Sequence, residues 1–153
     1  LIMPEKKTQQ RAAKDKRRGK SAGTQAGEYV HEEIEHVRKG KHGARSPQQA
    51  IAIGLSKARR AGVNVAAPKK GKASAATRKK AKHDLAKGKA AHKKVSAKRS
   101  AATKSALKRE GRTTASKKAL SKHAKTVAHR KRSATKRTAA RRASTSSRKR
   151  KSS

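Results

Sequence analysis

The scarcity of large apolar side chains limits what this chain can fold into more than any other feature of its sequence. Its 153 residues include one Tyr, no Phe and no Trp, and the 31% that counts as hydrophobic is mostly Ala. Burying Ala contributes little, whereas ordering each residue costs roughly 1–2 kcal/mol of backbone entropy. We therefore expect a fold class that is mostly disordered with a small all-α element.

Positive charge is unevenly distributed along the chain. The formal net charge is +39, from 47 Lys and Arg against 8 Asp and Glu. Residues 1–65 hold 15 cations and 6 acids, whereas residues 66–153 hold 32 cations and 2 acids. A segment with such an excess repels itself unless a polyanion neutralises it, which indicates nucleic acid as the partner.

Apolar residues recur at helical spacing in one region only. Four of them follow one another at intervals of four, four and three residues and therefore share one face of a helix: Ala26, Val30, Ile34 and Val37. Thr24 is the predicted N-cap of this helix. A second helix is predicted in SPQQAIAIGLSKARRAG, residues 46–62, which opens on a Ser-Pro cap and closes on a glycine.

Two amphipathic helices joined by a short link predict an αα-hairpin over residues 23–66. Gly54 lets the facing helix approach closely, and the apolar stripe of the second helix consists of Ile51, Leu55 and Ala58. A unit of this size is near the lower limit for independent folding, so the hairpin is expected to form a homo-oligomer or to dock on a partner.

The hairpin is flanked by two basic segments without an apolar period. We expect residues 1–22 to form a flexible basic arm and residues 67–153 to form a disordered, low-complexity tail rich in Lys, Arg, Ala and Ser. Ala, Lys and Arg favour helix, so this tail can gain helix once phosphates cancel its repulsion.

Three motifs carry a family resemblance. TQAGE, GKHGARS and QAIAIGLSKARRAG all lie within residues 24–63. Through them the region resembles the core of a family of small basic bacterial proteins of unknown function, which implies a two-helix unit and a bacterial origin but no catalytic residues. The C-terminal half separately resembles histone-like tails in composition, through KKAK, AAHKK and KRSAATK.

Neither metal binding nor catalysis is predicted. HEEIEH, residues 31–36, has its two histidines five residues apart, whereas a zinc-protease helix needs them four apart. We expect a solvated helical face here, with no metal and no other cofactor. Cys is absent, no Walker or Rossmann glycine pattern occurs, and no acid pair lies in an apolar run, so we predict that the protein is not an enzyme.

Two basic motifs of the hairpin leave alternatives open. GKHG, residues 40–43, fits a plain turn, an anion-contacting loop or the GXXG of a KH domain, although that fold needs strands for which the sequence has no candidates. SKARRAG, residues 56–62, fits a DNA-recognition helix, a phosphate contact or complementation of the helix dipole. Because Asn and Gln are missing from the middle of that helix, phosphate contact is favoured over base reading.

These observations together predict a histone-like, nucleoid-associated protein that neutralises and compacts DNA without reading its sequence. With one aromatic residue, stacking on unpaired bases is nearly excluded, which favours duplex DNA over single-stranded RNA. The alternatives are a ribosome- or RNA-associated protein, and a hairpin that binds a protein while its polycationic tail localises the complex. No segment approaches the ~20 apolar residues that span a bilayer, so we expect no membrane association and a cytoplasmic location, or a nuclear one in a eukaryote.

The predicted nucleic-acid contacts are basic residues of the hairpin and the tail. They are Lys39, Lys41, Arg45, Lys57, Arg59, Arg60, Lys69, Lys70, Arg78, Lys79, Lys80, Lys93, Lys94, Lys98, Arg99, Arg130, Lys131, Arg132, Arg141, Arg142, Arg148, Lys149, Arg150 and Lys151.

Overall fold

Helices account for most of the chain in this computed structural model, which describes residues 4–90 and 96–151. In chain order they are α1 (Lys6–Arg17), α2 (Ala22–Arg38), α3 (Pro47–Arg60), α4 (Ala75–Lys89), α5 (Ala97–Lys108), a 3₁₀ turn (Thr113–Ala115) and α6 (Lys117–Lys151). No strand occurs within these described ranges. The fold is all-α, and the prediction of a mostly disordered chain is wrong.

The chain divides into two units, Leu1–Ser116 and Lys117–Ser153. The first unit contains α1 to α5 and the 3₁₀ turn, and the second contains α6. The sequence had instead indicated boundaries after residues 22 and 66.

The second predicted helix is confirmed at both ends. Ser46 caps α3 by accepting a hydrogen bond from the backbone N–H of Gln49 (3.2 Å), and Pro47 occupies the first helical position. Gly62 follows the helix with φ +89°, a left-handed conformation that glycine adopts without strain. The backbone N–H of Val63 then returns to the carbonyl oxygen of Ala58 (3.0 Å), which completes a glycine-based C-terminal cap.

The first predicted helix is confirmed but begins earlier. Ser21, not Thr24, is the N-cap of α2, and its hydroxyl accepts from the backbone N–H of Thr24 (3.2 Å). The helices α2 and α3 pack against each other. A Cβ atom at Gly54 would lie 2.6 Å from Val30 Cα, so this glycine is what allows the two backbones to come so close.

Close backbone approach explains how a chain with few large side chains builds a core. One apolar cluster joins α1, α2 and α3 through Ala12, Ala26, Tyr29, Ala58 and Val63. A second joins α2, the α2–α3 loop, α3 and the 3₁₀ turn through Val37, Ala44, Ala50 and Ala115. Alanine can fill these clusters because short distances between helices leave little volume to occupy.

The N-terminal segment is a packed helix and not a flexible arm. On α1, Thr8 and Ala12 are buried, and the helix packs on α2. Arg11 Nε donates to Glu28 Oε2 at 2.5 Å, which ties the exposed edge of α1 to α2. The basic residues of this segment occupy the remaining surface of α1.

The residues after position 66 are also largely helical, where a disordered tail was predicted. On α4, Asp84 is buried and accepts from Ser56 Oγ and Arg60 Nε of α3, both at 2.7 Å. Thr114 Oγ1 donates to the carbonyl oxygen of Ala44 (2.9 Å), and Arg38 Nε donates to that of Ala115 (2.9 Å). These bonds link residues far apart in sequence, so no local pattern could have predicted them.

The second unit is a single basic helix. Within its 35 residues, α6 contains 15 Lys and Arg and no Asp or Glu. Its only large apolar residues are Leu120 and Val127, so it lacks a continuous apolar face of the kind that α2 and α3 bury. None of the described helices, α6 included, is long and apolar enough to cross a membrane.

Candidate functional site

Five ionisable side chains meet inside the first unit and form what we call the buried charge cluster. Glu32, Glu33 and His36 come from α2, His42 comes from the α2–α3 loop, and Lys57 comes from α3. All five are buried. Ionisable groups are rarely buried unless they are paired, so this cluster is the most unusual chemical feature of the molecule.

The cluster exists because the buried face of α2 is not its most apolar face. The sequence predicted that Val30, Ile34 and Val37 face α3, but Val30 and Ile34 are only partly buried. The fully buried residues include Tyr29, Glu33 and His36, which are spaced by four and three residues and share one helical face. The expectation that HEEIEH is a solvated face therefore holds for His31, which is exposed, and fails for Glu32, Glu33 and His36.

Lys57 lies between the two buried carboxylates. Its Nζ is 2.5 Å from Glu33 Oε2 and 3.4 Å from Glu32 Oε1. On the other side of Glu33, the Nε2 atom of His42 is 3.1 Å from Oε1. The rings of His42 and His36 pack edge to face, with centroids 6.0 Å apart.

A second layer of contacts fixes both imidazoles. His42 Nδ1 lies 3.0 Å from the carbonyl oxygen of Gly43, and a carbonyl can only accept, so the proton is on Nδ1. His36 Nε2 lies 2.8 Å from Glu5 Oε1, and Lys41 Nζ donates to the same oxygen at 2.8 Å. Glu32 Oε2 accepts from the backbone N–H of Glu5 (3.1 Å), which attaches the N-terminus of α1 to the cluster.

The pKa values reflect this arrangement. Burial alone would raise the pKa of Glu33, but its contacts with His42 and Lys57 hold it below the ordinary range. The contact with Glu33 raises the pKa of His42 in spite of burial. Outside the cluster, the hydrogen bonds from Lys41 and His36 lower the pKa of Glu5 to about 2.

Only the first half of the GKHG segment is exposed, and its second half is enclosed. His42 and Gly43 are buried, and the backbone N–H groups of Gly43 and Ala44 donate to the carbonyl oxygens of Leu107 (2.8 Å) and Gly111 (3.0 Å). No three-stranded sheet accompanies it in residues 4–90 and 96–151, so the KH interpretation is excluded there. Lys39 and Lys41 are exposed, and Lys41 is paired with Glu5.

The basic end of α3 is directed into the protein. Lys57 belongs to the buried charge cluster, and Arg59 is buried with its guanidinium donating to the carbonyl oxygens of Val65 (3.0 Å) and Ala66 (3.3 Å). Arg60 is partly buried against Asp84. Lys57 and Arg59 are therefore not accessible to phosphate in this structure, contrary to the sequence-based expectation.

Most other cations predicted to contact nucleic acid lie on the surface. Arg45 is exposed and pairs with Glu110 (3.2 Å), and Arg78 is half-buried. Lys93 and Lys94 lie outside the described residues, and six further cations fall in the last turns of α6: Arg141, Arg142, Arg148, Lys149, Arg150 and Lys151. The exposed ones are Lys39, Lys41, Arg45, Lys69, Lys70, Lys79, Lys80, Lys98, Arg99, Arg130, Lys131 and Arg132.

The few acids of the chain are engaged in pairs with its own bases. Seven of the eight form ion pairs in the first unit: Glu5, Glu28, Glu32, Glu33, Glu35, Asp84 and Glu110. The clustering of four acids in α2 was visible in the sequence, and in so basic a chain it was the one signal that pointed to a charged interior.

Comparison with protein-family models, curated proteins and solved structures finds no match to this chain. The resemblance of residues 24–63 to a family of small basic bacterial proteins therefore stays a prediction.

Proposed function

We propose that this protein binds duplex DNA through its phosphates, without reading the base sequence. The observation that carries the proposal is α6, a helix of 35 residues with 15 Lys and Arg and no acid. At this length the helix extends for about 52 Å, the span of roughly one and a half turns of duplex DNA. Helical Lys and Arg neighbours repel one another, and a polyanion removes that repulsion.

The composition of α6 favours contact with phosphates over recognition of bases. It contains no Asn, Gln, Phe, Tyr or Trp, so it lacks the amide groups that read adenine and the large rings that stack best on unpaired bases. Arg and Lys side chains can contact phosphates whichever base pairs α6 lies against. Binding of this kind is independent of sequence and strongly dependent on salt.

The first unit supports the same proposal through its surface charge. Because the acids are paired internally, with Glu33 and Asp84 fully enclosed, little negative charge remains to repel a phosphate backbone. Exposed cations of this unit can add further contacts, among them Lys69 and Lys70. In this proposal α6 is the principal DNA-binding element.

The test is the salt dependence of duplex DNA affinity. If about ten phosphates are neutralised, log affinity should fall with log salt at a slope near −9. Replacing Arg130, Lys131 and Arg132 by Gln should reduce that slope by nearly three. The matched control replaces Lys6, Lys7 and Lys14 of α1, which are also exposed, by Gln.

Equal losses in the two triple variants would show that net charge, and not α6, determines binding. Parallel titrations with duplex and single-stranded RNA of the same length distinguish DNA binding from the alternative of RNA binding. A clear preference for either RNA at matched salt would contradict DNA as the ligand.

A further inference from the structure

We propose that Glu33, His36 and His42 form a binding site for a divalent first-row transition metal ion, of which Zn²⁺ is the representative. Each of the three offers one ligand atom, and these atoms all lie within 4.8 Å of one another. In a tetrahedral zinc site two ligand atoms lie about 3.4 Å apart, so side-chain movements of about 1 Å bring the three to coordination distance. This inference is independent of DNA binding.

The unpartnered atoms of the cluster point to a ligand. Among the described residues, Glu33 Oε2, His36 Nδ1 and His42 Nε2 are buried and have no partner in hydrogen-bond geometry. The short distances from Glu33 to Lys57 and His42 are ion-pair contacts that lack that geometry. Their residues are 1%, 4% and 2% exposed, in the order Glu33, His36, His42.

Both imidazoles are oriented as metal ligands usually are. A metal-binding histidine donates its other ring N–H to a carboxylate or a backbone carbonyl, which fixes its tautomer. His42 does so to the carbonyl oxygen of Gly43 (3.0 Å), and His36 does so to Glu5 Oε1 (2.8 Å). The two remaining nitrogens, His42 Nε2 and His36 Nδ1, then carry lone pairs inside the cluster, where His42 Nε2 is 3.1 Å from Glu33 Oε1 and His36 Nδ1 is 4.0 Å from Glu32 Oε1.

The charge of the cluster also favours a cation. Glu32 and Glu33 are both buried and Lys57 is the one buried ammonium beside them, so a second positive charge has to come either from a proton on an imidazole or from a bound cation. A divalent ion bound to two neutral histidines and a carboxylate supplies the missing positive charge. Two imidazoles and one carboxylate are a donor set that proteins use for Zn²⁺.

Lys57 then acts as a competitor for the site. Its ammonium contacts the same Glu33 oxygen, Oε2, that has no hydrogen-bond partner. A metal ion has to displace this group or share the carboxylate with it. Removing the ammonium should therefore strengthen metal binding, whereas in a purely structural ion pair its removal would create no metal affinity.

The experiment uses the full chain, freed of metal by a chelator and titrated with Co²⁺, whose visible absorption reports its ligands, and with Zn²⁺ in competition. We expect one Co²⁺ per chain. His36→Gln and His42→Gln should abolish this binding, and His31→Gln, an exposed residue of the same helix, should leave it unchanged. Lys57→Met should raise the affinity, and circular dichroism of each variant checks that it folds.

A substitution at Glu5, which contacts His36 but is not one of the three ligands, tests the site without removing a ligand. Glu5→Gln should weaken Co²⁺ binding about tenfold, because Glu5 orients His36. Its control, Glu28→Gln, loses an exposed ion pair to Arg11 that does not involve the residues of the cluster. This pair of variants decides the matter if a histidine variant or Lys57→Met fails to fold.

Three results would overturn the proposal. The first is an absence of saturable Co²⁺ binding by both the wild type and Lys57→Met. The second is binding that survives in folded His36→Gln and His42→Gln. The third is equal affinity in Glu5→Gln, Glu28→Gln and the wild type.

Discussion

Lys57 of α3 and Glu33 of α2 are joined inside the protein at 2.5 Å between Nζ and Oε2, with 2% and 1% of their side chains exposed. An ion pair enclosed to this degree has lost its hydration, and its members stabilise the fold only together. The pair also connects the two helices that the sequence identified most clearly.

Breaking this pair on one side should be strongly destabilising. We expect Lys57→Met and Glu33→Gln each to lower the free energy of unfolding, Lys57→Met by about 3–5 kcal/mol, because it leaves buried charge uncompensated. The double variant should lose clearly less than the sum of the two. Urea unfolding with a chelator present measures all three, and additive losses would contradict a coupled pair.

The contact between α2 and α3 at Gly54 allows a matched pair of substitutions. Gly54→Ala places a methyl group 2.6 Å from Val30 Cα and should destabilise the protein by about 1–3 kcal/mol through overpacking. Gly27→Ala lies within α2 with nothing inside 4 Å of its new Cβ, and should stabilise by about 0.5–1 kcal/mol. Thermal unfolding of both variants checks the prediction, which an unchanged or raised Tm for Gly54→Ala would refute.

Tyr29 provides a test of burial through its ionisation. Burial raises the pKa of this phenol, and the charge of Glu32 adds to the effect. The neutral phenol is thus favoured in the folded state, so its contribution to stability is complete below the unfolded pKa of about 10 and is lost as pH rises through the higher folded value.

Ultraviolet absorbance of the phenolate measures this directly, because the chain has one Tyr and no Trp. The native protein should titrate at higher pH than the same protein unfolded in urea. Coincident titration curves would show that Tyr29 is exposed in solution.

The helix α6 should respond to salt in the absence of DNA. Cations four residues apart, such as Lys118 with Lys122 and Arg132 with Lys136, repel by about 0.2–0.5 kcal/mol per pair, and salt screens that repulsion. The difference in far-ultraviolet circular dichroism between the full chain and a chain ending at Ser116 should therefore gain helical signal as salt rises. A constant or falling difference would contradict this.

Local signals in the sequence were sufficient to predict α3. Its Ser46 cap, Pro47 and the terminal Gly62 act through bonds to near neighbours, and the structure contains all of them. Gly54 was also interpreted correctly, since a glycine within a helical stripe has few roles other than close approach.

The buried face of α2 was missed because apolar periodicity was the only criterion. Val30 and Ile34 fit a stripe by hydropathy, but Glu33 and His36 occupy the buried face because Lys57 and His42 pair with Glu33 and Glu5 pairs with His36. Partners that become neighbours only in the folded protein cannot be read from the sequence. Lys57 was assigned to phosphate for the same reason, since a lysine in the last turn of a helix is exposed far more often than buried.

The helix α4 and the 3₁₀ turn were missed because they are held by contacts between distant residues. Asp84 is held by Ser56 and Arg60, and Ala115 is buried beside Val37 and Ala50. Composition described these segments as Lys-rich and Ala-rich, which is equally typical of a disordered polycation.

The buried charge cluster has a consequence for how this sequence can change over generations. Replacement of Glu33, Lys57 or His42 alone leaves a neighbouring group buried without its partner. A substitution at any one of these positions therefore destabilises the protein while the other two residues are present. The group can be exchanged for apolar residues only as a set. Descendants of this chain should therefore retain these residues together or have replaced them together, while the lysines of the surface vary independently.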